Sequence, residues 1–130
     1  MTQQGTERRV GKSYMDLVGE AKGRIREVTV GDVMRMQQER SDAVLVDIRE
    51  ESEWARGHMP GATALSRGVL EVKIDRVFPE KDTPLVLYCG GGNRSALAAD
   101  VLQTMGYTNV VSMTGGFRGY VAAGGKVTVD

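Results

Sequence analysis

The chain contains one cysteine, Cys89, and one histidine, His58, among its 130 residues. A single cysteine excludes an internal disulfide, so the fold does not depend on an oxidising compartment. The first residues lack the apolar core of a secretion signal, and no apolar stretch approaches the length that crosses a membrane. From these absences we expect a cytoplasmic protein without a membrane partner.

The sequence also has no net charge, because 17 lysine and arginine residues balance 17 aspartate and glutamate residues. This balance argues against binding to nucleic acid or to a membrane surface through overall charge. Apolar residues make up 41% and charged residues 26% of the chain, as is usual for a globular protein. The length predicts one domain, which we place at residues 13–130 after a polar, flexible N-terminal extension of residues 1–12.

Unbroken apolar runs at residues 43–48 and 84–89 are typical of strands that are covered on both faces, as in a parallel sheet. Two further strands are predicted at residues 63–65 and 109–113. Helices are predicted at residues 50–55, 67–75, 95–105 and 115–125. The alternation of helix and strand predicts an α/β fold, in which helices cover both faces of a sheet.

Two capping-box patterns predict helices before the first strand. Ser13 with Asp16 begins a segment in which apolar residues recur at helical spacing as far as Ile25. Thr29 with Asp32 begins a second helix, which we expect to end near residue 39 or 40.

The loop after Cys89 lies where a predicted buried strand ends and a helix is about to begin, the usual ligand-binding edge of an open α/β sheet. Three successive glycines, Gly90, Gly91 and Gly92, let the backbone curl around the sulfur with several N–H groups pointing inward. The positive end of the following helix and the charge of Arg94 act at the same place. These effects favour the thiolate, and comparable sites lower the pKa of a cysteine to about 3.5–7.5.

The residues of this loop leave other interpretations open. A lone cysteine is most often a buried apolar residue. Cysteine phosphatases hold phosphate in a C-x5-R loop, often after a histidine, whereas here the arginine comes one residue earlier and Tyr88 precedes the cysteine. The shorter loop suits a group smaller than a phosphoryl group, such as one sulfur atom. A dinucleotide-binding fingerprint fits poorly, because Ser95 stands where its third glycine would be.

Three stretches of the chain carry ordered motifs. Residues 44–62 contain D-x-R-E and G-H-x-P-G-A, residues 85–107 contain C-x4-R, and residues 113–125 contain a glycine pair. In this order and spacing they resemble the single-domain rhodanese-like sulfurtransferases, over about residues 27–127. The resemblance implies a rhodanese-like α/β fold with a central five-stranded parallel sheet and helices on both faces. It also implies a cysteine that forms a persulfide without a metal or an organic cofactor.

The resemblance implies that a thiolate takes the outer sulfur of a donor such as thiosulfate or mercaptopyruvate. Cys89 would be the catalytic residue, and Arg94 would bind an anionic donor. The loop that surrounds the persulfide would consist of Gly90, Gly91, Gly92, Asn93, Arg94 and Ser95. Because the chain has no second thiol, the sulfur must pass to an external acceptor, such as cyanide, a small thiol or a partner protein. The alternatives are a non-catalytic rhodanese-like interaction or sensor module, and a phosphatase or arsenate reductase on the same type of fold.

Asp47 and Arg49 follow the first strong strand and, in a parallel sheet, would lie at the same edge as Cys89. An unpaired carboxylate there would oppose thiolate formation, so we expect an arginine or backbone N–H groups to neutralise Asp47. We further expect Asp47 and Arg49 to shape the pocket floor without taking part in the chemistry.

His58 lies in the G-H-x-P-G-A turn, where the resemblance implies a structural role rather than the base of a Cys–His hydrolase. Arg94 is the one charged residue of the loop, whereas loops suited to thiosulfate are often more basic.

Overall fold

The computed structural model describes residues 10–129, so residues 1–9 of the predicted flexible extension lie outside the described residues. Its strands are β1 (Arg26–Val28), β2 (Val44–Asp47), β3 (Thr63–Ala64), β4 (Leu85–Tyr88) and β5 (Val110–Met113). Its helices are α1 (Tyr14–Lys22), α2 (Val30–Gln38), α3 (Glu51–Ala55), α4 (Leu70–Val77), α5 (Asn93–Thr104) and α6 (Gly116–Ala122). Within this part of the chain the strands form a five-stranded sheet in the order β1-β5-β4-β2-β3, and each neighbouring pair is parallel. The predicted fold class is confirmed.

Both capping boxes predicted from the sequence are present. The Ser13 hydroxyl accepts a hydrogen bond from the N–H of Asp16 (3.0 Å), and the Asp16 carboxylate accepts one from the N–H of Ser13 (2.9 Å) at the start of α1. Thr29 and Asp32 form the same pair of bonds at the start of α2. Each box satisfies two N–H groups that the helix itself leaves without a partner.

The structure contains one strand that the sequence did not predict, β1. Two of its three residues are exposed, so no apolar alternation marks it, and it forms because it pairs with residues 111–113 at the edge of the sheet. The preceding helix α1 ends before Ile25, whose side chain packs against the core. The segment predicted as one helix at residues 67–75 begins as a 3₁₀ turn at Arg67–Val69 and continues as α4.

The central strand β4 is buried on both faces, as its unbroken apolar run predicted. Leu85 and Leu87 belong to a core cluster that includes side chains of α4 and α5. Val86 and Tyr88 belong to a second cluster that includes side chains of α2 and α6. Burial of each large apolar side chain stabilises the fold by about 1.5–3 kcal/mol. Helices therefore cover both faces of the sheet, as expected.

The parallel strands β2 and β4 end at the same edge of the sheet. Asp47, the last residue of β2, is paired in register with Tyr88, the last residue of β4. Cys89 therefore begins its loop at the edge where open α/β sheets bind their ligands.

Across residues 10–129, no helix combines the length and the apolar character that crossing a bilayer requires.

Candidate active site

Cys89 follows β4 directly and is buried, with 1% of the residue exposed. Its sulfur accepts hydrogen bonds from the N–H groups of Gly92 (3.1 Å) and Ser95 (3.4 Å). The hydroxyl oxygen of Ser95 lies 3.5 Å from the same sulfur. Gly92 has a φ of +109°, a conformation that favours glycine and turns the backbone toward the sulfur. The loop therefore places two N–H groups and one hydroxyl group beside the Cys89 sulfur.

Asn93 and Arg94 lie in the first turn of α5, because this helix begins at Asn93 and not at Ser95 as the sequence predicted. Serine favours the position just before a helix, but here the Ser95 hydroxyl is committed to the loop and lies 3.3 Å from the carbonyl oxygen of Gly92. The Asn93 amide nitrogen lies 3.9 Å from the sulfur of Met15 on α1. Asn93 therefore faces α1 and makes no side-chain bond within the loop among the described residues.

The surroundings of Cys89 lower the pKa of its thiol. Burial acts in the opposite direction and raises the pKa, because the thiolate loses its hydration. Hydrogen bonds from the hydroxyl and N–H of Ser95, and then from the N–H groups of Gly92 and Gly91, stabilise the thiolate and outweigh burial. The loop thus favours the nucleophilic form of the sulfur.

The Ser95 hydroxyl contacts the hydroxyl of a second buried serine, Ser112. Ser112 on β5 is fully buried, and its hydroxyl oxygen lies 2.8 Å from that of Ser95. When Ser112 donates this hydrogen bond, the one proton of the Ser95 hydroxyl has two acceptors within reach. These are the carbonyl oxygen of Gly92 (3.3 Å) and the Cys89 thiolate (3.5 Å). Ser112 was not predicted as a site residue, although a lone serine among the apolar residues of 110–113 was a signal that could have identified it.

Arg94 forms an ion pair with Glu53, a partner that was not predicted from the sequence. Its guanidinium donates to both carboxylate oxygens of Glu53 on α3, at 2.9 and 3.2 Å. These hydrogen bonds are the main cause that lowers the pKa of Glu53 to about 2. Arg94 therefore lies at the loop, as expected, and its guanidinium is paired with Glu53, with which an anionic donor would have to compete.

Asp47 and Arg49 form a buried ion pair at the same edge of the sheet. The Arg49 guanidinium donates to both oxygens of Asp47, at 2.8 to 3.2 Å, and also to the carbonyl oxygen of Gly57 (2.8 Å). Arg49 thus neutralises Asp47, as the sequence analysis expected. The Arg49 guanidinium carbon lies 4.1 Å from the ring centroid of Phe117, whose N–H donates to the carbonyl oxygen of Cys89 (2.7 Å). The pair therefore supports the side of the site where α6 meets the loop.

The start of α6 packs directly on the Cys89 loop. The N–H of Arg118 donates to the carbonyl oxygen of Gly90 (3.1 Å). Gly116 has a φ of +59°, and a Cβ at this position would lie 2.6 Å from the carbonyl oxygens of Cys89 and Gly90. Only glycine permits this approach. The close approach of α6 to the loop brings Arg118 beside it. No local pattern in the sequence predicted that Arg118 would lie at the site.

His58 has the contacts of a structural residue. Its ring stacks on that of Trp54 with the centroids 3.4 Å apart, and its Nδ1 lies 2.9 Å from the carbonyl oxygen of Trp54. Its backbone pairs with Thr128 near the end of the chain. Among residues 10–129, no group of three or more His, Cys, Asp or Glu side chains is arranged to hold a metal ion.

Solved structures with this architecture include a protein of unknown function from Rhodopseudomonas palustris, described as a possible tyrosine phosphatase. It is 36% identical, with a TM-score of 0.86, and the match covers 95% of this chain and 100% of that one. A rhodanese-related protein from Thermoplasma volcanium is 25% identical, with a TM-score of 0.71, and the match covers 81% of this chain and 99% of that one.

Among curated proteins, the thiosulfate sulfurtransferase GlpE of Pseudoalteromonas translucida is 35% identical over 86 residues, which are 65% of this chain and 79% of that protein. A sulfurtransferase of Allochromatium vinosum is 34% identical over 83 residues, which are 64% of this chain and 76% of that protein. The family model of the rhodanese-like domain matches residues 29–123, which include the whole Cys89 loop and the start of α6. The chain therefore belongs to the rhodanese-like domain family.

Proposed function

We propose that the protein is a sulfurtransferase that carries a sulfur atom as a persulfide on Cys89. The observation that carries this proposal is the buried Cys89 sulfur, which accepts N–H bonds from Gly92 and Ser95 and lies beside the Ser95 hydroxyl. Such donors stabilise a thiolate and, equally, the negative charge of a persulfide. The similarity to the sulfurtransferases of Pseudoalteromonas and Allochromatium supports the same assignment.

In the first half of the reaction, the Cys89 thiolate attacks the transferable sulfur of the donor, which is the outer sulfur of thiosulfate or the single sulfur of mercaptopyruvate. With mercaptopyruvate, the C–S bond breaks and the electron pair leaves on the enolate of pyruvate, which takes up the proton of the donor thiol. With thiosulfate, a bond forms between the Cys89 sulfur and the outer sulfur, the S–S bond of the donor breaks, and sulfite leaves with the electron pair. The protein is left with a persulfide anion on Cys89, and no external proton, oxidant or cofactor is consumed.

In the second half, an acceptor nucleophile attacks the outer sulfur of the persulfide and the Cys89 thiolate leaves. Cys89 is the only cysteine in the chain, so no internal thiol can resolve the persulfide as a disulfide. The acceptor is therefore external, and we propose cyanide in the test tube and a small thiol or a partner protein in the cell. A reducing compartment such as the cytoplasm suits this cycle, because it keeps Cys89 as a thiol.

Phosphatase activity is the second candidate, because the similar protein from Rhodopseudomonas palustris is described as a possible tyrosine phosphatase. Two features of the site argue against it. The loop is one residue shorter than the C-x5-R loop of cysteine phosphatases, and its arginine, Arg94, is bound to Glu53 instead of being free for a phosphoryl group. The intact Cys89 loop likewise favours an enzyme over a non-catalytic interaction module.

The test is the intact mass of the reduced protein before and after exposure to thiosulfate and, separately, to mercaptopyruvate. We expect a gain of one sulfur atom, which cyanide removes and which Cys89→Ser does not show. A folded protein that gains no sulfur from either donor would contradict the proposal. Turnover of an aryl phosphate that depends on Cys89 would favour the phosphatase.

A further inference from the structure

Three arginines lie at the Cys89 loop, and two of them are neutralised. Arg49 is paired with Asp47, and Arg94 is paired with Glu53. The third, Arg118, forms no ion pair or side-chain hydrogen bond with any residue of the described part of the chain, and it is exposed. Arg118 is therefore the one arginine of the three whose positive charge has no carboxylate partner among the described residues.

The Arg118 guanidinium lies beside Gly90 and Gly91 of the loop. A Cβ built on Gly90 would lie 2.9 Å from Nη1 of Arg118 and 3.1 Å from Nη2 of Arg94, so the two guanidinium groups approach the same point. A Cβ built on Gly91 would collide with the Arg118 guanidinium. The missing side chains of these two glycines therefore create the space that Arg118 occupies, immediately after the nucleophile.

We propose that Arg118 is the specificity-determining residue that binds the oxyanion end of the sulfur donor. This inference rests on the proposed function, because it names the class of donor: molecules in which an oxyanion lies next to a transferable sulfur. A guanidinium presents a planar set of N–H donors that match two oxygens of one sulfonate or carboxylate group. Arg118 would bind this group while the transferable sulfur reaches the Cys89 sulfur.

The charge balance explains why Arg118 and not Arg94 has this role. An anion that approached Arg94 would compete with the Glu53 carboxylate for the same guanidinium, and the carboxylate is already bonded there through both oxygens. Arg118 offers its N–H groups without such competition. When the S–S bond of thiosulfate breaks, the electron pair moves onto the departing sulfite, and Arg118 donates hydrogen bonds to the oxygens on which that charge is shared.

The first experiment does not depend on turnover. Iodoacetate and iodoacetamide have nearly the same size and alkylate the same thiolate with loss of iodide, but only iodoacetate is an anion. Because Cys89 is the sole cysteine, the mass of the intact protein reports this one site. In Arg118→Gln, we expect the ratio of the iodoacetate rate to the iodoacetamide rate to fall by about tenfold, as when one charge-assisted hydrogen bond is lost.

Two matched variants define the origin of this change. Arg118→Lys keeps the positive charge but not the planar pair of donors, so its ratio should lie between those of the wild type and Arg118→Gln. Arg76→Gln removes an equal charge from the last turn of α4, and we expect it to leave the ratio unchanged. An unchanged ratio in Arg118→Gln would overturn the proposal, as would an equal fall in Arg76→Gln, since that would assign the effect to net charge alone.

The second experiment measures sulfur loading of Cys89 by mass, with thiosulfate and with mercaptopyruvate. The uncharged reagent dimethyl trisulfide is the control: the Cys89 thiolate forms a disulfide bond with a methylthio group, and methyl persulfide leaves. In Arg118→Gln, we expect loading from thiosulfate to slow by about tenfold, while methylthiolation by dimethyl trisulfide stays at the wild-type rate and shows that the variant is folded. Slower loading from mercaptopyruvate as well would extend the role of Arg118 to carboxylates. A loss confined to thiosulfate would assign it to sulfonate-type donors.

The two experiments separate the two proposals. If the wild type gains sulfur from thiosulfate and Arg118→Gln gains it equally fast, the inference about Arg118 fails and the proposed function stands. If the wild type gains no sulfur from thiosulfate or from mercaptopyruvate, the proposed function fails, while the alkylation ratio still decides whether Arg118 binds anions at Cys89.

Discussion

The Ser112 hydroxyl oxygen lies 2.8 Å from that of Ser95, and the latter lies 3.5 Å from the Cys89 sulfur. Ser112 is on β5 and Ser95 is in the first turn of α5, so the contact joins the sheet to the Cys89 loop. All three side chains are buried, where a hydrogen bond is stronger than in water. Ser112 therefore reaches the Cys89 sulfur through the Ser95 hydroxyl.

Ser112→Ala should raise the pKa of Cys89. The variant removes the partner that orients the Ser95 hydroxyl, and the hydrogen bond from Ser95 is the largest of the contributions that lower this pKa. At neutral pH the thiolate fraction should fall, so alkylation by iodoacetamide should slow several-fold, with a midpoint shifted to higher pH. Ser95→Ala should produce the larger shift in the same direction. A pH profile of Ser112→Ala that overlays that of the wild type would show that Ser95 needs no partner.

Glu53→Gln should weaken the protein in a pH-dependent manner. The pKa of Glu53 is lowered from 4.5 to about 2, so its ion pair with Arg94 stabilises the folded state fully above pH 4.5 and less as the pH falls toward 2. The pair is partly exposed, and we expect a loss of about 1 kcal/mol in the free energy of unfolding at pH 7. Urea unfolding should show this difference shrinking below pH 4.5. A difference that is constant with pH would contradict the assignment.

The same variant should free Arg94 to bind anions. With Glu53→Gln, we expect the iodoacetate to iodoacetamide rate ratio at Cys89 to rise above that of the wild type, because a second unpaired guanidinium then lies at the loop. If the ratio does not rise, Arg94 is too far from the path of the incoming anion.

Gly116→Ala should destabilise the contact between α6 and the Cys89 loop. The new Cβ would lie 2.6 Å from two carbonyl oxygens, so we expect a loss of at least about 2 kcal/mol and slower alkylation of Cys89. Gly124→Ala is the matched control, because Gly124 also has a positive φ, of +85°, but has no atom within 4 Å of a new Cβ. It should cost only about 1 kcal/mol, the backbone contribution alone. Urea unfolding of both variants measures the difference, and equal losses would show that the close approach has no cost of its own.

Asp47→Asn should destabilise the fold strongly, because it leaves Arg49 buried without a full counter-charge. Removal of one partner of a buried ion pair costs about 3–5 kcal/mol, whereas an apolar pair of similar volume is often tolerated. Asp47→Leu with Arg49→Met should therefore unfold at a higher urea concentration than Asp47→Asn. If Asp47→Asn changes neither the unfolding midpoint nor sulfur loading, the pair has no role at the site.

The sequence by itself determined the elements that depend on local pattern. The unbroken apolar run before Cys89 predicted a central buried strand, and the two capping boxes predicted where α1 and α2 begin. The order of the motifs indicated the family, and the three glycines indicated a loop that surrounds the sulfur. These features could be predicted because burial on both faces, helix capping and backbone freedom are expressed in consecutive residues.

The tertiary structure alone decided which charges and hydroxyls meet at the site. Glu53 is 41 residues from Arg94 in the chain, and it changes that arginine from an anion-binding candidate into a neutralised one. Ser112 and Arg118 reach the Cys89 loop from β5 and α6, and the edge strand β1 exists only through its pairing with β5. Such contacts are set by the packing of distant elements against one sheet edge. No local spacing in the sequence encodes them, because the partner of a polar side chain depends on which elements lie beside it in space.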